Sequence, residues 1–538
     1  MISIRYARMA GRPCNTTKTG TGRYWLGTLL CCLLIASGCE DDNRRDKSHQ
    51  AQRPLCVRYV DIDSNAENPD GLSWATAFPS IQQGIDAAYE EIPDPREHYK
   101  ERYIVHTPYD YCEVWVAEGR YEVHRGNDDD TIAVMPGIHL YGGFAGNEKS
   151  LEQRDLEKHQ TRIDAQSASG GRPKHLMTYE EDRKRHKGIQ SSVIDGFTFI
   201  DTIDLERWHW TEIKQPTIAI YSYAGKGLTI SNCRFMGLVG TCVRIHTGYI
   251  RSCEFIGNYH PEKYKTIQAS GALFLLVQGC KFEENLSEIG VGGIGAEGIR
   301  VVVRDCLFKE NKGLYPGWGS AMVNACNARV ERCTFIRNQG MGVGIFESIS
   351  KLAVESSLFI GNRGIPAGAA YAGKDTALRI TNSVLYGNIG LEAGVAYEEV
   401  GEEPWSGIKI VNSIIHGNKI WKREECGSPP LEETPTADGP ALLQEDPREL
   451  GGPPINVMYS LVQGGYQGPG NIDADPGFRD PSAMDFRLKQ GSPCIDAGIG
   501  HLAPLTDFVG RQRQVAPGSG QRGAGPPWVD MGAYEYIP

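Results

Sequence analysis

Several things are scarce in this 538-residue chain, and each scarcity removes a class of function. The apolar run from Trp25 to Ile35 is only about eleven residues, too short to span a bilayer, and the hydrophobic content of 40% is ordinary, so this is not a multi-span membrane protein. There is no basic excess. Lys and Arg total 56 against 67 Asp and Glu, for a net charge of −11. Residues 1–38 hold five basic residues and no acid, so the remainder stands near −16. That argues against nucleic acid as a partner, because a nucleic-acid binder shows a basic face. None of the fifteen cysteines has a CxxC partner, which excludes a zinc ribbon.

What the sequence has is one short phrase, repeated. It reads SNCRFMGL at 231–238, RSCEFIGN at 251–258, QGCKFEEN at 278–285, RDCLFKEN at 304–311 and ERCTFIRN at 331–338. It continues as ESSLFIGN (355–362), TNSVLYGN (381–388) and VNSIIHGN (411–418), with a worn copy, MYSLVQGG, at 458–465. The third position is Cys233, Cys253, Cys280, Cys306 and Cys333, then Ser357, Ser383 and Ser413, at steps of 20, 27, 26, 27, 24, 26 and 30 residues. Such a period marks a solenoid with one coil per repeat. Within a copy, small and apolar residues alternate with polar ones, which is the period of a strand. The fold expected is all-β, a parallel β-helix. Phe235, Phe255, Phe282, Phe308, Phe335 and Phe359 should form an aromatic column, each burial being worth roughly 1.5–3 kcal/mol. Asn258, Asn285, Asn311, Asn338, Asn362, Asn388 and Asn418 should occupy turns that need a tolerant backbone and bond from coil to coil. The stacked cysteines read as free buried thiols, since neighbours about 4.8 Å apart sit just beyond disulfide reach.

The ends differ from the middle. Arg5, Arg8, Arg12, Lys18 and Arg23 precede the apolar run, and Ala36-Ser37-Gly38-Cys39 follows it. Residues 1–38 therefore read as a signal peptide. The small residues before Cys39 resemble a bacterial lipobox, which implies lipidation of Cys39 and membrane attachment; Glu40 in place of Asp favours the outer membrane. An ordinary signal peptide is the other reading. Residues 39–55 are a charged tether. Residues 56–111 form a cap: Ile81, Ile85, Ala88 and Tyr89 have helical spacing, with Pro79 suited to the first turn, and a short amphipathic helix would cover the open coil end. The solenoid is expected over 112–470, with loops at about 165–190, 200–215 and 421–454.

The segments VDIDSNAENPDGLSWATAFPSIQQGIDAA, VWVAEGRY, LYGGFAGNEKSLEQRD and SSVIDGFTFI resemble the opening of secreted bacterial right-handed parallel β-helix proteins of the pectin-lyase-like and polymorphic-outer-membrane-protein-like families. NIDADPGFRDPSAMDFRLKQGSPCIDAG, TDFVGRQR and VDMGAYEY, within 471–538, closely resemble the choice-of-anchor Q domain. That resemblance implies a segment that ends the β-helix, and it carries no established catalytic mechanism.

Chemistry is less legible. The NTD and RIK motifs of polygalacturonase-type sites are absent. Asp128, Asp129 and Asp130 read as a solvated turn, and His246, His260 and His416 as wall residues. Asp496, Asp507, Asp530 and Glu535 recur beside Gly and Arg511. They read as Asx-turns and an Arg511–carboxylate clamp closing the last coil, or alternatively as a Ca²⁺ site. Trp208, Trp210, Tyr315 and Trp318, with Trp405 and Trp421, fall outside the phrase and suit either sugar rings or loop packing. The function expected is a monomeric, lipid-anchored surface protein, adhesive or carbohydrate-binding. A polysaccharide lyase or hydrolase acting on an acidic glycan, and a passive structural protein, are the alternatives. A groove with two carboxylates near an Arg or Lys would favour the enzyme.

Overall fold

Strand after strand pairs in parallel with the strand one coil away, so the repeated phrase stacks in register. In the computed structural model Phe235 lies opposite Phe255, Phe255 opposite Phe282, and so on to Phe359. The structure describes residues 53–93, 111–167, 171–179, 191–201, 216–222, 227–261, 265–270, 274–288, 292–313, 322–340, 343–345, 350–373, 375–398, 406–420, 442–444, 455–513 and 528–538. Residues 54–538 are one unit, a right-handed parallel β-helix.

One coil shows the plan. Gly240–Ile245 and Gly248–Arg251 belong to a broad sheet, Glu254–Ile256 to a second sheet, and Tyr259–His260 to a third. The ladder cysteine sits at the corner into the second sheet, the phenylalanine in its middle, and the asparagine at the corner out. The rings of Phe199, Phe235, Phe255, Phe282, Phe308, Phe335 and Phe359 stack with centroids 4.6–4.9 Å apart and planes within 9° of parallel. Leu385, Ile415 and Val462 continue the column in register, so the worn copy is a true rung.

The asparagines do not themselves adopt the left-handed backbone. The residue before each one does: Gly257, Glu284, Glu310, Arg337, Gly361, Gly387 and Gly417 have φ between 49° and 71°, as does Gly237 before Leu238 in the same register. The residue before each Cys or Ser does the same, with Asn232, Ser252, Asp305, Arg332, Ser356, Asn382, Asn412 and Tyr459 between 47° and 56° and Gly279 at 63°. Two left-handed residues per coil turn the chain, and the asparagine points inward, where Asn258 to Asn388 are fully buried. Each of these Nδ2 groups donates to the next coil's Oδ1 at 2.8–3.0 Å and to the Phe carbonyl one coil back at 2.9–3.0 Å. Each Oδ1 also accepts the N–H of the residue one coil back in the same register, Leu238 for Asn258 and an asparagine for the rest, as Asn285 for Asn311. Nothing polar is left wanting in the ladder, which is the condition for burying it.

The five ladder cysteines are buried and free. From Ser357 onward the hydroxyl takes over: Oγ of Ser357, Ser383, Ser413 and Ser460 accepts the previous rung's N–H at 3.0–3.2 Å.

The N-terminal cap differs from the sequence expectation in detail. Cys56–Val60 is already a strand of the broad sheet, paired with Cys112–Ala117, one rung before the expected start of the solenoid at residue 112. Cys56 and Cys112, in register, form a disulfide, so adjacent rungs can be bridged. Helix α1 (Ile81–Glu90) starts on Ser80, whose side chain accepts the Gln83 N–H; Pro79 precedes the cap. Ile81, Ile85, Ala88 and Tyr89 face the coil end. A Cβ on Gly84 would come within 2.5 Å of Val60, so this position must be glycine for the helix to sit down. Two expected loops also contain strands: His175–Tyr179 pairs with Ile132–Val134, and Leu442–Gln444 with Ala396–Glu398. The expected loop at 200–215 lies almost wholly outside the described residues.

The C-terminal segment is not simply the last coil. It turns back and lies as a strap against the outside of the second sheet. There Leu358, Ile360, Val384, Ile414 and Leu461 point outward and pack on Phe478, Phe486, Leu488, Ile495 and Met531. The left-handed corner residues anchor it. Ser356 Oγ donates to the Thr506 carbonyl, Asn382 Nδ2 to that of Asp530, and Asn412 Nδ2 to that of Ile499.

Candidate functional site

The corner before the ladder asparagine shows where the wall departs from its own rule. Four coils place glycine there, as the left-handed backbone favours. Three consecutive coils instead carry Glu284, Glu310 and Arg337 at the same φ, a choice that costs about 1–2 kcal/mol each. Their side chains project outward beside Leu286, Lys312 and Gln339, which stand opposite one another in the third sheet. Together these six residues line an open groove of about 540 Å³. Arg337 forms an ion pair with Glu310, whereas Glu284 and Lys312 are exposed to solvent. The arrangement offers carboxylates, an ammonium and an amide to a hydroxyl-rich ligand, on a rigid scaffold. Sequence reading missed these residues. The available signal was the replacement of glycine by a charged residue in three adjacent copies.

The C-terminal acids are brought together, but as a lock. Asp507 Oδ1 accepts the N–H groups of Val509 and Arg511 at 3.1 and 2.8 Å, and Oδ2 accepts that of Glu535 at 3.3 Å. Asp530 accepts from the Asp496 N–H at 2.8 Å and the Tyr536 N–H at 2.5 Å. The clamp is Arg513, not Arg511: Nη1 of Arg513 donates to Glu535 Oε1 at 2.8 Å, with both side chains at most 5% exposed. Arg511 contributes only its backbone. Burial, then the nearby Glu535 charge, pushes Asp530 up to about 8, and burial raises Glu535 despite Arg513. Among the described residues no three His, Cys, Asp or Glu side chains are grouped to hold a metal. The oxygens of Asp507 and Asp530 are turned to backbone donors.

Other singled-out residues fall as follows. Asp130 accepts the N–H groups of Arg125 and Asn127, and Asp129 pairs with Lys174 at 2.6 Å, a solvated turn. His246 bonds the Ser222 carbonyl, His416 stacks on Tyr386, and His260 is wholly buried. Cys39, Trp208, Trp210, Tyr315, Trp318, Trp405 and Trp421 lie outside the described residues.

The right handed beta helix region family matches residues 218–385. Among solved structures, the chain is similar in shape to the pectate lyase Pel9A, at 11% identity and a TM-score of 0.42, over 90% of this chain and 98% of that one. It is also similar to the A-module of the Azotobacter vinelandii mannuronan C-5 epimerase AlgE6, at 14% identity and a TM-score of 0.29, over 78% and 100%. Overlaps of this quality carry no argument about the reaction. No curated protein sequence matches the chain.

Proposed function

We propose that this protein is an exported β-helix, tethered to a membrane through a lipid on Cys39, that binds carbohydrate on its outer wall and serves adhesion. The observation that carries the reading is the groove of Glu284, Glu310, Lys312 and Arg337, where the fold accepts left-handed backbone at charged residues in three successive coils. Strained positions held against their own preference mark sites where the side chain is needed. The test is a glycan array probed with the intact protein and with a variant carrying Glu284→Gly, Glu310→Gly and Arg337→Gly. The coils should stay folded, since glycine suits each corner, and glycan retention should fall. Retention unchanged in the variant would sink the assignment, and no retention in either protein would favour a passive structural role. For the anchor, Cys39→Ala should release the protein from membranes.

A polysaccharide lyase or hydrolase is the second reading, because the same groove places two glutamates beside a lysine and an arginine. Against it, the groove is open, Glu284 faces solvent and Glu310 is tied to Arg337, whereas general acid–base work calls for positioned, water-excluding geometry. Incubation with acidic polysaccharides, read as unsaturated product or new reducing ends, separates the two.

A further inference from the structure

A second groove lies on the broad sheet, and its charge pattern is different. Elsewhere on the wall, cations and carboxylates from neighbouring rungs answer one another. Arg304 pairs with Glu331 at 2.7 Å, Arg332 with Asp305 at 2.7 Å, and Lys281 with Glu254 at 2.7 Å. Even where Glu331 and Glu355 stand directly opposite, Arg329 sits between them at 2.6 and 2.9 Å. Arg379 and Lys409 break this pattern. They occupy directly opposed positions on adjacent rungs, and Asn456 stands on the next. Among the described residues neither cation has a carboxylate partner. Like charges in that relation destabilise a sheet.

The two cations line an open groove of about 570 Å³ with no acid among the described residues of its lining, where Ser406, Asn456 and Gln467 are the neutral polar groups. The arginine is held in place. Its Nε donates to Thr381 Oγ1 and its Nη2 to the Leu502 carbonyl, both at 3.2 Å, which fixes the guanidinium plane. These acceptors are neutral, so the full positive charge remains. In a chain of net charge −11, an uncompensated cation pair at one spot is a local exception to the surrounding field.

We propose that Arg379 and Lys409 form an anion subsite that takes an oxyanion, a carboxylate or a sulfate or phosphate ester, borne on a hydroxyl-rich ligand whose hydroxyls meet Asn456 and Gln467. A planar guanidinium suits a two-oxygen contact, and the lysine supplies a point charge beside it. This site is separate from the groove at Glu284, Glu310 and Arg337, and either can fail without the other.

The test titrates the intact protein, at low ionic strength, with potassium sulfate, potassium phosphate, an oligouronate and the methyl ester of that oligouronate. Binding of the oligouronate should weaken with added salt and fall about tenfold in Lys409→Gln, while Lys409→Arg retains it. The ester should not bind. Without ligand, Lys409→Gln should melt higher than the parent, because the repulsion from Arg379 is relieved. Lys409 is the variant of choice, since Arg379 also touches the strap. Sulfate or phosphate binding that is lost in Lys409→Gln, with no oligouronate binding, would keep the anion site and overturn its sugar-borne ligand. Equal binding of acid and ester, unchanged binding in Lys409→Gln, or no binding of any probe would overturn the proposal.

Discussion

Asn412 grips Ile499 as one backbone grips another. Its Oδ1 accepts the Ile499 N–H at 2.8 Å and its Nδ2 donates to the Ile499 carbonyl at 3.0 Å. The Asn412 carbonyl meanwhile accepts the Gly532 N–H at 2.7 Å, so one corner residue of the solenoid holds two separated parts of the strap. Asn412→Ala loses these two side-chain bonds and a third, from Nδ2 to Asn382 Oδ1 at 3.1 Å, leaves buried backbone groups unpaired and strains a φ of 52°. We expect a loss of about 2–4 kcal/mol, with proteolysis concentrated in the C-terminal segment. Urea unfolding and timed digestion read it, and a digestion pattern identical to the parent's would show that Asn412 is not the anchor.

The solenoid was legible because its signal repeats: Cys, Phe and Asn at fixed register can satisfy one another only by stacking. The strap was not, although a trace of it is visible. The outward residue after the ladder Cys or Ser is Arg234, Glu254 or Lys281 in early coils and Leu358, Val384, Ile414 or Leu461 in late ones. That shift from polar to apolar announces a covered wall, but not what covers it. The Arg513 clamp was missed in favour of Arg511 because spacing in sequence cannot say which of two nearby arginines turns inward. The two grooves are built from residues of three successive coils, which no local pattern joins.

Phe335 has a ring on either side, 4.8 Å from Phe308 and 4.7 Å from Phe359, and is fully buried. Phe335→Ala should cost about 3–5 kcal/mol, the transfer term plus the cavity, whereas Phe335→Leu should cost clearly less, because Leu385 fills the same register two coils on. Equilibrium melting of the two variants checks the order, and an unchanged melt for the alanine variant would contradict the stacking.

Asn311 donates to the Phe282 carbonyl at 2.9 Å and to Asn338 Oδ1 at 3.0 Å, and its own Oδ1 accepts from Asn285. Asn311→Asp is nearly isosteric but turns the donor into an acceptor facing two acceptors. It should cost about 3 kcal/mol or more, and more at neutral pH than at pH 4, where the introduced acid can protonate and donate. Urea midpoints at the two pH values check this. A variant as stable as the parent at pH 7 would mean the ladder is not bonded as described.

His260 supplies the last test. Its ring is wholly buried, with Nδ1 against the Gly240 carbonyl at 2.5 Å and Nε2 2.7 Å from Thr266 Oγ1. With the ring neutral and donating from Nδ1 to the Gly240 carbonyl, the single Thr266 hydroxyl proton is shared between Nε2 and the Gly292 carbonyl, which lies 2.7 Å from the same Oγ1. Burial pushes its pKa down from 6.5 to about 4, against the opposing hydrogen bond to Gly240. The unfolded chain therefore takes up the proton first as the medium is acidified. The contribution of the neutral ring is fully present above pH 6.5 and is lost as pH falls from 6.5 towards 4, at up to about 1.4 kcal/mol per pH unit and roughly 3 kcal/mol in all. Carboxylates titrate over the lower part of that window, so the comparison is with His260→Gln, which should be less stable at pH 7 yet lose less on going from pH 6.5 to 5. Parallel stability curves for the two proteins over that interval would show that His260 does not titrate as its burial requires.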